Sequence, residues 1–88
     1  MSDRRVAVTG LGVVASCGTG VEAFWEGLCG PAPVGERRVV DFDPALYFDN
    51  PKEARRSDRS TQFAIAATDM ALDHTGTLTA DPSRSGVF

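Results

Sequence analysis

The chain has 88 residues, is 42% hydrophobic and carries a formal net charge of −3, which fits one small globular unit or part of a larger one. No apolar run approaches the about 18 residues of a membrane span, and the start Met-Ser-Asp-Arg-Arg has no long apolar stretch behind its basic residues. The reading is therefore a cytoplasmic protein with neither a membrane span nor a signal peptide.

Charge and cysteine usage narrow the class further. Four bases and two acids fall within residues 52–59, leaving five bases against ten acids elsewhere. An acidic chain with one basic island lacks the broad basic surface and interleaved aromatics of a nucleic-acid binder. Such an island suits an acidic protein partner, where charge steers encounter and orientation. Cys17 and Cys29 are far from the single histidine, His74, so their spacing forms neither a metal site nor a disulfide framework. No cofactor is implied.

Residues 4–15, Arg-Arg-Val-Ala-Val-Thr-Gly-Leu-Gly-Val-Val-Ala, read as an apolar strand running into a Gly-Leu-Gly turn. A dinucleotide fingerprint would need Gly12 to open directly into a helix, with an acid about 20 positions on. Glu36 and Asp41 could supply the acid, but Val13 to Gly20 combines β-branched residues with glycines and suits extended chain and loop. The first helix signal comes at Thr19, as cap, with Glu22 completing a capping box. Val21, Phe24, Trp25 and Leu28 then fall on one face, expected to be buried, and Gly30-Pro31 stops the helix. The dinucleotide reading stays as a minor alternative.

Residues 30–36 read as a surface turn, Arg38-Val39-Val40 as a short extended piece, and Phe42-Asp43-Pro44 as a second turn. Asn50 as cap, Pro51 at the first position and Glu53 at the third open a helix over 51–74. Its apolar stripe is Phe63, Ala66, Ala67, Met70 and Ala71, and Gly76 is its stop. Lys52, Arg55, Arg56 and Arg59 recur at helical spacing and share one face if the helix is regular. Alternatively the helix breaks at Ser57-Asp58, either of which could cap a new one; both geometries leave the basic residues exposed. Thr77 to Ser85 reads as a polar linker and Arg84 to Phe88 as the onset of another strand. The order strand, helix, helix, strand onset marks an α/β class with a partly parallel sheet, present here as an incomplete portion.

With these pieces placed, the chain resembles the N-terminus of the β-ketoacyl-acyl carrier protein synthases of fatty acid and type II polyketide synthesis. The resemblance rests on Arg4 to Val14, the helix around Phe24-Trp25, Phe42-Asp43-Pro44, and Arg55-Arg56-Ser57-Asp58-Arg59-Ser60-Thr61-Gln62-Phe63-Ala64, in the family's order. It implies that residues 1–88 are the N-terminal portion of a thiolase-like α-β-α-β-α sandwich. The implied partners are an acyl carrier protein bearing acyl or malonyl thioesters and a second synthase subunit, in a homodimer or heterodimer. The implied reaction is a decarboxylating Claisen condensation, whose nucleophilic cysteine and two histidines match no residue of this chain. Cys17 matches the loop after the first strand, and His74 sits at a helix C-terminus, where the helix dipole favours it. A non-catalytic partner subunit would share the same opening pattern.

By the same resemblance Lys52, Arg55 and Arg56 stand where the family contacts its carrier protein, with Arg59 one turn further. The bland alternative is a solvated face whose charges pair with Glu53 and Asp58, worth little in stability. Ser57 and Ser60 replace the family's common Met and Phe, and the segment from Val34 to Pro51 is shorter than in many members.

Overall fold

The computed structural model describes residues 4–32, 35, 37–76 and 81–87. Its regular elements are β1 (Val14–Ala15), β2 (Gly18–Thr19), α1 (Val21–Cys29), α2 (Pro51–Arg56) and α3 (Arg59–Thr75), with single 3₁₀ turns at Pro44–Leu46 and Pro82–Arg84. The described residues thus form a mixed helix and strand assembly whose one sheet is the antiparallel hairpin β1–β2, paired Val14 with Thr19 and Ala15 with Gly18.

The opening strand is shorter than its sequence predicts. Only Val14 and Ala15 are paired, while residues 4–13 carry no regular structure. A strand is defined by its hydrogen-bonded neighbour, and among the described residues none lies beside Val6 and Val8, which are 91% and 78% exposed. The expected parallel pairing is likewise absent among the described residues. At the other end, Pro82–Arg84 is a 3₁₀ turn capped by Asp81, and residues 85–87 are irregular rather than a strand onset. Phe88 and residues 77–80 lie outside the described residues.

The hairpin also moves the start of α1. Thr19 is drawn into β2, so its predicted capping box with Glu22 does not form; Gly20, at φ 92°, occupies the cap position without a side-chain cap bond. Its N–H donates to the Val13 carbonyl at 2.8 Å, and its carbonyl accepts from Phe24. α1 then lays its smallest residues on the hairpin: Ala23 meets Gly18, and Gly27 meets the Cys17 carbonyl. That choice leaves the larger apolar stripe uncovered, with Trp25 63% and Leu28 58% exposed and Phe24 half-buried. The predicted burial of this stripe is not observed, because the small-residue face allows closer backbone approach to the hairpin.

The second helical region divides at Ser57-Asp58. Asn50 accepts from the Lys52 N–H at 3.0 Å to open α2, and Asp58 accepts from the Thr61 N–H at 2.7 Å to open α3. Each cap satisfies an amide donor that the first helical turn leaves unpaired. Gly76 ends α3 at φ 82°, donating to the Leu72 and Asp73 carbonyls. The predicted stripe faces inward along α3: Ala66 is fully buried and Phe63, Ala67, Met70 and Ala71 are half-buried.

Residues 9–12 run along α3 on this stripe. Gly10 lies against the Ala71 carbonyl and the Thr75 hydroxyl, and Gly12 against the Ala67 carbonyl, so close that a Cβ at either position has no room. The hydroxyls of Thr9 and Thr75 share a hydrogen bond at 3.2 Å, and the Leu11 N–H donates to His74 Nδ1 at 3.1 Å. The Gly-Leu-Gly segment is therefore a packing strip. Its glycines face helix backbone, and no helix begins until Val21.

Candidate functional site

α2 is one and a half turns of helix carrying Lys52, Arg55 and Arg56, all exposed. Pro51 pre-sets the helical φ at its first position and Glu53 lies near its positive end, so the short helix is specified locally. At its other end Arg55 and Arg56 lie in the last turn, where cationic side chains complement the helix dipole. Among the described residues, no hydrogen bond or ion pair engages the charged ends of Lys52, Arg55 or Arg56. Asp58, one of the two predicted local partners, instead directs its carboxylate to Thr61. Hydrogen bonds from the Thr61 side chain and backbone N–H hold the Asp58 carboxyl below its ordinary value of 3.8.

Beneath this face α2 is anchored by one buried residue and a set of polar ties. Ala54 is buried and lines a small cavity of about 220 Å³ with Asp43, Pro44, Pro51 and Gln62. Gln62, on the first turns of α3, donates its side-chain amide to the Ala54 carbonyl at 2.8 Å and to the Ser57 carbonyl at 3.4 Å. The Ser57 hydroxyl donates to the Glu53 carbonyl at 2.8 Å. The last helical bond of α2 runs from the Ser57 N–H to the Glu53 carbonyl, and the Ala54 and Ser57 carbonyls beyond it find their donor in Gln62.

Arg59 stands apart from the other three bases. The break at Asp58 puts it at the first position of α3, with its guanidinium 5.4 Å from the ring centre of Phe42 and 4.8 Å from that of Phe63. It also donates to the Val39 carbonyl at 3.1 Å. Phe42 meets Phe63 edge-on at 5.1 Å and stacks on Tyr47 at 5.7 Å, both favourable ring geometries. Spacing alone signalled the basic residues but not this aromatic setting. Phe42 and Phe63 lie far apart in sequence, and their meeting depends on how the 37–47 segment folds back.

Other candidate chemistry is sparse. Cys17 is half-buried with its thiol 4.0 Å from the Phe24 carbonyl, and Cys29 is exposed and free. Among the described residues no group of three or more His, Cys, Asp and Glu side chains could hold a metal ion. Nor, among the described residues, is any helix long and apolar enough to cross a membrane.

Comparison with known proteins accounts for the ordered motifs. A protein assigned as the granaticin polyketide β-ketoacyl synthase 1 of Streptomyces violaceoruber is 40% identical over 100 aligned residues, covering 96% of this chain and 24% of the relative. The chain is a homologue of the polyketide β-ketoacyl synthases. The tetracenomycin ketoacyl synthase alpha subunit of Streptomyces glaucescens is 34% identical over 98% of the chain and 24% of its own length. A polyketide β-ketoacyl synthase 2 of Streptomyces halstedii is 43% identical over 80% of the chain and 20% of its own length. The chain therefore spans only about a quarter or less of the polyketide synthases it matches. Alignment over 100 positions also exceeds its 88 residues, so the Streptomyces violaceoruber synthase carries additional residues within the matched stretch. No family model and no solved structure matches the chain.

Proposed function

We propose that this chain is the opening portion of a β-ketoacyl synthase of a type II polyketide system, with the thiolase-like fold of that family and a cytoplasmic setting. The observation that carries the reading is identity near 40% to polyketide β-ketoacyl synthases across 96% of the chain. In the whole protein a cysteine outside these residues takes an acyl group from a carrier thioester, releasing the carrier thiol. Malonyl-carrier then loses carbon dioxide, and its carbanion attacks the enzyme thioester, forming the carbon–carbon bond and releasing the cysteine. A thiolate nucleophile and oxyanion stabilisation are what such chemistry needs.

This segment contributes a docking surface. Lys52, Arg55 and Arg56 project from a capped, anchored helix with their charges uncommitted, which suits the acidic face of an acyl carrier protein. In the full-length protein, Arg55→Glu with Arg56→Glu raises KM for carrier-linked substrates about tenfold while small thioester mimics react as before. Equal loss on both substrate classes overturns the docking role.

A second reading is favoured by the 43% identity to a polyketide β-ketoacyl synthase 2: a non-catalytic subunit that pairs with a catalytic one. Condensation by the full-length protein alone supports the first reading. Product formed only when a second synthase subunit supplies the cysteine supports this one.

A further inference from the structure

We infer that Arg59 is a positioning residue for the basic face of α2, acting through its flat guanidinium packed within the fold rather than as a charge that steers the carrier. The inference rests on the carrier-docking reading of Lys52, Arg55 and Arg56. Arg59 is where two pieces of chain meet. Its guanidinium lies near the rings of Phe42 and Phe63 and donates to the Val39 carbonyl. That joins the 37–42 segment to the first turn of α3.

The consequence reaches α2 through Phe42. Phe42 stacks on Tyr47, which follows the 3₁₀ turn Pro44–Leu46, and that turn packs against α2 around buried Ala54. From the other side Gln62 holds the carbonyl end of α2 to α3. α2 is a short helix with one buried residue, so its orientation depends on these two supports. A lysine in place of Arg59 keeps the charge but loses the planar group that lies against two rings while donating to a carbonyl. A charge contact and a positioning role therefore predict different behaviour for the conservative variant.

The test uses the full-length protein and an acyl carrier protein, with dissociation constants measured across a salt series. Arg56→Gln weakens binding and flattens its salt dependence, as loss of a steering charge should. Arg59→Lys and Arg59→Met each weaken binding about fivefold, leave the salt slope as in the unaltered protein, and spare turnover of small thioester mimics. Adding Phe42→Leu to Arg59→Met brings little further loss, because both act on one stack. The inference is overturned if Arg59→Lys binds like the unaltered protein while Arg59→Met flattens the salt slope, or if neither variant changes binding. If Lys52→Gln and Arg56→Gln leave binding and salt slope unchanged, the docking reading fails instead. The positioning role is then judged by amide exchange alone: faster exchange at residues 37–43 and 52–57 in Arg59→Lys supports it, and unchanged exchange overturns it. Should Arg59→Met not accumulate as folded protein, Arg59→Lys and Phe42→Leu carry the same comparison.

Discussion

The side-chain amide of Gln62 donates to the carbonyl of Ala54 at 2.8 Å, closing the end of α2 onto the first turns of α3. The break at Ser57-Asp58 removes the helical partner of the Ala54 carbonyl, and Gln62 supplies a donor in its place. Gln62→Leu keeps much of the side-chain bulk but leaves the Ala54 carbonyl without its donor. The expected cost is about 1 kcal/mol, read by denaturant titration of the full-length protein, with weaker carrier binding as α2 loosens.

Asp58 gives this junction a pH dependence. Its folded-state carboxyl is held below its ordinary value by the Thr61 hydrogen bonds. The stabilisation is therefore present above the unfolded value and is lost as pH falls through the folded one. Amide exchange at Thr61, measured against neighbouring α3 amides, should accelerate as the pH is lowered below about 4. In Asp58→Asn, which retains a capping oxygen, that acid-specific acceleration disappears. Acceleration of the same size in both proteins would show that the cap's ionisation is not responsible.

What could be read from the sequence was what is decided locally. Asn50, Pro51, Asp58 and Gly76 punctuate the helices because a cap is a contact between a residue and its near neighbours. The α3 stripe was legible because its helical spacing keeps these residues on one side, with Ala67 and Ala71 against the Gly10–Gly12 strip and Phe63 against Phe42. Two other features depend on distant chain. Val6 and Val8 alternate like a strand, yet no strand among the described residues pairs with them. The α1 stripe has helical periodicity, yet the hairpin receives the Ala23 and Gly27 side. At the candidate site, spacing located Lys52, Arg55, Arg56 and Arg59. The Asp58 cap then directed Arg59 toward Phe42 and Phe63, a meeting that periodicity does not encode.

Burial predicts how the 88 residues behave alone. Ala54 and Ala66 are the only buried hydrophobic residues among those described, and Trp25 is 63% exposed. Folding costs about 1–2 kcal/mol of backbone entropy per ordered residue, which so small an apolar core does not offset. The isolated chain should show no cooperative thermal transition, and its Trp25 emission should remain that of a solvated indole. A sharp transition with blue-shifted emission would mean that α1 finds a cover within these residues.

The Gly-Leu-Gly strip offers the clearest separation of scaffold from ligand site. A Cβ at Gly12 runs into the Ala67 carbonyl, and one at Gly10 into the Ala71 carbonyl. Because the obstructing atoms belong to helix backbone, relief requires the strip to move off α3. That movement also stretches the Leu11 to His74 hydrogen bond. Gly12→Ala in the full-length protein should cost about 1–3 kcal/mol and expose the Leu11 amide to exchange. A phosphate cradle predicts a different pattern, since a dinucleotide bound only by the folded protein would raise its melting temperature progressively as its concentration passes the dissociation constant. NAD and FAD should leave the melting temperature of the unaltered protein where it is. A nucleotide-dependent rise that Gly12→Ala abolishes would return the strip to phosphate binding. Destabilisation without any nucleotide effect assigns the glycines to close packing on α3.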